Sequence, residues 1–127
     1  MTRDYKDFAE YILKYYGSVP VVEIGVGSDF HVFEELKKNK VDVRAVDLNP
    51  SSSDVIKDDI LNPDMDIYRG CGLIYSIRPP PELIPYIEYI AKETGADLII
   101  RPLSTDNVPS NLRLQNYGSS YFFKKPR

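Results

Sequence analysis

The chain has 127 residues, enough for one hydrophobic core and too few for two, so a single domain over residues 1–127 is expected. A net charge of -3 with 28% charged residues describes an ordinary soluble surface and argues against a general nucleic-acid binder, which is usually basic. Cys71, the lone cysteine, allows no internal disulfide, and with a single histidine it cannot supply the usual zinc set; neither a disulfide scaffold nor a metal centre is expected.

Tyr5, Phe8, Ala9, Ile12, Leu13 and Tyr16 recur at helical spacing before Gly17, which predicts an amphipathic helix over residues 4–16. Val21-Val22-Glu23-Ile24-Gly25 is a short apolar run of the kind buried on both faces of a parallel sheet. A second helix follows, capped by Ser28 or Asp29, with Val32, Phe33 and Leu36 as its buried stripe. Residues 41–47 read as the second strand, ending on Asp47 before the polar turn Asn49-Pro50-Ser51. A brief third strand is expected over residues 55–60, past Asp58 and Asp59, with Asn62-Pro63-Asp64 as its breaker.

Gly72 to Ile77 predicts a fourth strand, which Arg78-Pro79-Pro80-Pro81 cannot continue. Leu83, Ile84, Ile87, Ile90 and Ala91 then line a helix that Gly95 ends, and residues 97–103 form a fifth strand. After a polar loop over residues 104–111, Leu112 to Tyr117 and Tyr121 to Lys125 close the chain as an antiparallel hairpin around Gly118-Ser119-Ser120. Strands alternating with helices imply an α/β, Rossmann-like three-layer domain: a mostly parallel sheet with right-handed crossovers and a C-terminal antiparallel hairpin.

The start of the chain is charged and no apolar run approaches the roughly 20 residues of a membrane span, so a cytoplasmic protein without membrane contact is expected. Lys124, Lys125 and Arg127 read as a small solvated basic patch. Tyr117, Tyr121, Phe122 and Phe123 are candidates for an exposed edge that meets a protein partner or a second copy, although alternate residues there should face the core.

Ligands of such sheets bind beyond the carboxyl ends of the central strands. Glu23-Ile24-Gly25-Val26-Gly27 places two glycines and an acid there, where a tight turn meets the free amides of a helix start. Asp47, twenty positions beyond Gly27, stands where a carboxylate can accept both ribose hydroxyls of a nucleoside. Each feature also has a plain structural explanation: a tight turn for the glycines, a turn cap for Asp47, a solvated turn for Asp58-Asp59. Glu23 is different, because a carboxylate in a buried strand needs partners.

With Glu23, Gly25 and Gly27 in the pattern acid, any residue, Gly, any residue, Gly, and with Asp47 and Asp59-Ile60 after them, the chain resembles the S-adenosylmethionine-dependent methyltransferase superfamily. The short length, the Val-Glu-Ile-Gly-Val-Gly loop and the Tyr-Ser-Ile-Arg-Pro-Pro run are also similar to a small, uncharacterised archaeal family of Rossmann-like proteins, a likeness that implies no activity. The superfamily resemblance implies S-adenosylmethionine as cofactor, bound by Glu23, Gly25, Gly27, Asp47 and Asp59. It does not extend to the amino-methylating motif of Asp or Asn, Pro, Pro and an aromatic, because Ser76-Ile77-Arg78-Pro79-Pro80-Pro81 stands there. A dinucleotide is the competing ligand, but its fingerprint asks for a small residue where Phe30 lies.

For catalysis the candidates are His31, as a general base or a helix-end residue, and Arg78, as a clamp for a carboxylate or phosphate or as a partner of Glu82. Two functions from different classes follow: a small methyltransferase of unspecified acceptor, or a non-catalytic Rossmann-like module acting as a regulatory or partner subunit. An open cavity around Arg78 and His31 favours the first, and a filled one the second.

Overall fold

The computed structural model describes residues 1–104 and 108–125. Its elements run α1 (Arg3–Tyr16), β1 (Val21–Ile24), α2 (His31–Lys38), β2 (Val43–Asp47), β3 (Val55–Lys57), β4 (Leu73–Ile77), α3 (Ile84–Thr94), β5 (Asp97–Arg101), β6 (Arg113–Tyr117) and β7 (Ser120–Lys125). Seven strands form one sheet in the order β3-β2-β1-β4-β5-β7-β6. The pairs among β1 to β5 are parallel, while β7 runs antiparallel to both β5 and β6. The α/β architecture expected from the sequence is therefore present, hairpin included.

Strand alternation sorts the core into two layers. Val21, Leu73, Tyr75, Ile99 and Phe122 turn to one face and bury Phe8, Ile12 and Tyr16 of α1 with Val32 and Leu36 of α2. Val22, Ile24, Ile74, Leu98 and Ile100 turn to the other, against Ile84, Ile87 and Ile90 of α3. Burial on both faces is why the central strands read as continuous apolar runs. Thr2 caps α1 by accepting the amide of Tyr5 at 3.2 Å. Pro81 to Leu83 form a one-turn 3₁₀ helix that leads into α3, which puts Pro85 in the first turn, where its missing N–H costs nothing.

Several expectations are corrected. β3 stops at Lys57, three residues early. The Asp58 amide still donates to the Asp47 carbonyl at 3.1 Å, while its carboxylate accepts the Tyr68 hydroxyl at 2.5 Å and the Asp64 amide at 3.0 Å. Burial and that hydrogen bond push the Tyr68 hydroxyl pKa well up. α2 has no side-chain cap at Phe30; Asp29, not Ser28, accepts the amide of His31 at 3.1 Å.

The hairpin aromatics do not form an exposed edge. Phe122 is fully buried edge-on to Phe8, Phe123 packs on the α3-side core, Tyr117 meets Tyr11, and Tyr121 lies under the Arg101 guanidinium at 4.1 Å. β7 lies inside the sheet between β5 and β6, so alternate rings face the two core layers and the polar β6 is the outer strand. Lys124 is not a solvated cation either. Burial alone would lower its pKa, but hydrogen bonds with the Tyr11 and Tyr16 hydroxyls more than offset that and raise it. Arg127 and residues 105–107 of the polar loop lie outside the described residues. No helix among the described residues is long and apolar enough to cross a membrane.

Candidate functional site

Strand order reverses between β1 and β4: β2 and β3 follow β1 to one side, and β5 follows β4 to the other. The two chains leaving those strands must part, which opens a crevice at their carboxyl ends. Beyond Glu23 the β1–β4 ladder stops, and the Ser76 hydroxyl takes over by donating to the Ile24 carbonyl at 2.7 Å. Ser76 therefore closes the apex of the crevice and borders the first hollow there.

Gly25 and Gly27 carry the chain away from β1 with φ of +75° and +59°. Torsion, more than crowding, demands glycine: an added Cβ would meet only the Ser76 hydroxyl at 3.9 Å from Gly25 and nothing within 4 Å at Gly27. That empty space faces the crevice. Asp47 at the tip of β2 accepts the Gly27 amide at 2.9 Å on one oxygen and the Asn49 amide at 2.9 Å on the other, and Ser51 donates to the Gly27 carbonyl at 2.9 Å. The loop after β2 is thus stitched to the glycine turn, while each Asp47 oxygen keeps a lone pair for a ligand hydroxyl.

Three connected hollows occupy the carboxyl edge. The first, about 290 Å³, lies among Gly25, Asp47, Leu48, Asp59, Ile60 and Leu83. Its apolar walls suit a flat ring and its two acids suit hydroxyl and amino donors. Asp59 accepts the Leu61 amide at 3.0 Å, which folds Ile60 and Leu61 over this hollow. Asp58 also reaches the lining, but its carboxylate is tied to Tyr68 and Asp64. The second, about 370 Å³, is bordered by Glu23, Gly25, Gly27, Asp29 and Arg78. The third and widest, about 820 Å³, is a basin among Tyr5, Asp29, His31, Arg78, Arg101 and Tyr121.

Glu23 is the unusual member. It is only 2% exposed, and its one protein hydrogen bond among the described residues comes from the Tyr75 hydroxyl at 2.6 Å. Burial pushes its pKa up to about 8, against the lowering effect of the Tyr75 hydrogen bond, with a further upward push from Asp29. A carboxyl poised between its two states beside a hollow is ready to ionise for a cationic ligand.

Arg78 lines all three hollows. It does not pair with Glu82: the guanidinium lies 3.8 Å from Asp29 and above the Tyr5 ring at 5.7 Å. His31 is 63% exposed, with Nδ1 2.9 Å from the same Asp29. The basin around both residues is open. Phe30 stays half-buried against Val26, Phe33, Ala45 and Val55, so the small-residue position of a dinucleotide fingerprint is filled by a packed ring.

The sequence matches the Uncharacterised protein family (UPF0146) over residues 5–127. The chain belongs to the UPF0146 family. It is 40% identical to the UPF0146 protein of Methanothermobacter thermautotrophicus over 124 residues, which span 94% of this chain and 93% of that protein. With the UPF0146 protein of Archaeoglobus fulgidus it shares 37% over 119 residues, 91% of this chain and 89% of the relative.

Among solved structures, the UPF0146 fold is similar to an RNA methyltransferase from Salinibacter ruber in complex with S-adenosyl-L-homocysteine, with a TM-score of 0.63 at 10% identity, covering 98% of this chain and 90% of that one. It is likewise similar to a SAM-dependent methyltransferase from Aquifex aeolicus, with a TM-score of 0.57 at 16% identity, covering 96% and 89%. At such identities the likeness is one of architecture, and the UPF0146 domain has a methyltransferase-like fold.

In this UPF0146 chain the sequence-predicted Glu23, Gly25, Gly27, Asp47 and Asp59 all converge on the first two hollows, and His31 joins Arg78 at the third. Sequence reading missed Tyr75 as the partner of Glu23, Arg101 and Tyr5 as basin walls, and Asp29 as more than a cap. Only the first left a signal, since a buried acid requires a donor.

Proposed function

We propose that the chain binds S-adenosylmethionine across the first two hollows and is a methyltransferase whose acceptor enters through the basin. The observation that carries this reading is the convergence of Glu23, Gly25, Gly27, Asp47 and Asp59 on one crevice at the strand-order reversal. The donor set fits the ligand. Leu48, Ile60 and Leu83 suit the faces of a base, Asp59 its amino group, and Asp47 the ribose hydroxyls. Glu23, nearly dry and close to ionising, suits an ammonium. When bound, this cofactor supplies an electrophilic methyl group on a sulfonium. The known complex of the Salinibacter ruber neighbour with S-adenosyl-L-homocysteine supports the ligand class.

His31 is the group of the basin suited to take a proton from an acceptor. Its Nδ1 lies 2.9 Å from Asp29, a carboxylate placed to orient the ring for general-base work. A second reading draws on one observation: Arg78 and Pro81 flank Pro79-Pro80, where amino-methylating relatives carry an Asp or Asn and an aromatic. On that reading the chain holds the nucleoside without turnover, as a regulatory or partner subunit.

Calorimetric titration with S-adenosylhomocysteine and with NAD tests the ligand class. Binding of the first but not the second, weakened about tenfold or more in Asp47→Ala by loss of a charged hydrogen-bond acceptor, is the expected outcome; preference for NAD would overturn it.

A further inference from the structure

Arg78 is a loosely held charge in the basin. Its side chain is 50% exposed, and among the described residues its guanidinium has no hydrogen bond, only the Asp29 carboxylate at 3.8 Å and the Tyr5 ring. Arg101 is bound by Asp4 and rests on Tyr121, although its Nε is buried without a partner among the described residues, and Asp29 accepts the His31 amide and lies 2.9 Å from His31 Nδ1. Arg78 also holds φ at +52°, a left-handed conformation that a non-glycine residue rarely adopts. A short hydrogen bond from its own amide to the Arg101 carbonyl, 2.6 Å, keeps it there. Backbone strain thus aims a planar, five-donor fork at the point where the three hollows meet.

We infer that the basin takes a small acceptor molecule bearing an oxyanion, a carboxylate or a phosphate, which Arg78 grips in place of its loose contact with Asp29. The inference rests on the methyltransferase reading for the word acceptor, but not for the binding itself. A guanidinium with free donors forms paired, charge-assisted hydrogen bonds to either group. Asp29, relieved of Arg78, keeps His31 in place. A polyanion is disfavoured, because Asp4 and Asp29 border the same basin and the chain is acidic overall.

The test uses isotopically labelled chain titrated with inorganic phosphate, with acetate, and with sodium chloride at matched ionic strength, followed by amide shifts and the ring protons of the sole histidine. Saturable shifts at Tyr5, Asp29 to His31, Arg78 and Arg101 with phosphate or acetate, absent with chloride, are expected. The stronger of the two identifies the oxyanion. Arg78→Gln should weaken this binding about tenfold, Arg78→Lys less, and Asp29→Asn should tighten it by removing the competing carboxylate. Unchanged binding in Arg78→Gln, or no shifts at all, overturns the inference; tighter binding of a short RNA at the same residues replaces the small molecule by nucleic acid and overturns it too. Asp47→Ala separates the two levels, since it should weaken nucleoside binding about tenfold or more while leaving the phosphate response intact.

Discussion

The Tyr75 hydroxyl donates to the Glu23 carboxyl at 2.6 Å across the junction of β1 and β4, where the two residues are register partners and both are buried. Each raises the other's stake. The bond lowers the Glu23 pKa against the larger upward effect of burial, and burial together with that carboxyl lifts the Tyr75 pKa well above the ordinary tyrosine value.

Stability should depend on pH through Glu23. Its carboxyl titrates near 4.5 in the unfolded chain and about 8 in the folded one, so between those values the folded chain holds a proton that the unfolded chain has lost. The contribution is complete below the unfolded value, declines as pH rises toward 8, and is flat above. Denaturant midpoints measured from pH 4 to pH 9 should fall across this window in the native chain, and Glu23→Gln should remove most of the slope. An equal slope in the variant would assign the effect to other groups.

A ligand ammonium placed against Glu23 favours its charged form, so binding of S-adenosylmethionine near pH 7 should release a proton. Calorimetric titrations in buffers of different ionisation enthalpy read that release directly. Tyr75→Phe leaves Glu23 short of its hydrogen bond at a cost of about 1–3 kcal/mol in stability, measurable by urea denaturation, and should increase the proton released.

Asp58 and Asp59 should separate cleanly. Tyr68→Phe removes the buried partner of Asp58 and should destabilise the fold by about 1–3 kcal/mol. Asp59→Ala, on an exposed turn, should leave the unfolding midpoint nearly unchanged and weaken nucleoside binding. A strong stability loss in Asp59→Ala with normal binding would exchange the two roles.

Gly25→Ala should cost about 1–2 kcal/mol because its positive φ, not lack of space, selects glycine. Gly27→Ala should cost a similar amount in stability, and more in nucleoside affinity, since its Cβ would enter the open space in front of the turn. Thermal unfolding with and without S-adenosylhomocysteine distinguishes the two effects.

The fold was legible because its signals are local: apolar runs such as Val21 to Ile24 and Gly72 to Ile77, the helical stripe from Tyr5 to Tyr16, and the glycine turn between β1 and α2. The position of Asp47 was legible for the same reason, since the β1–β2 register carries it to the glycine turn, where it accepts the Gly27 amide. What failed depends on tertiary contact. Lys124 looked solvated until α1 laid Tyr11 and Tyr16 across it, and which hairpin rings face the core was decided only by β7 lying inside the sheet, which seats Phe122 on Phe8. The Arg78–Asp29 pair joins residues 49 positions apart that only the strand-order reversal brings together.

The most direct measurement is an amide-shift titration of labelled chain with S-adenosylhomocysteine, repeated on Asp47→Ala. Shifts gathered at Val22 to Phe30, Asp47 to Asn49 and Asp59 to Leu61, and strongly weakened in the variant, are the expected result. Absence of any shift at millimolar ligand, or shifts that ignore Asp47, would contradict a nucleoside site in this crevice.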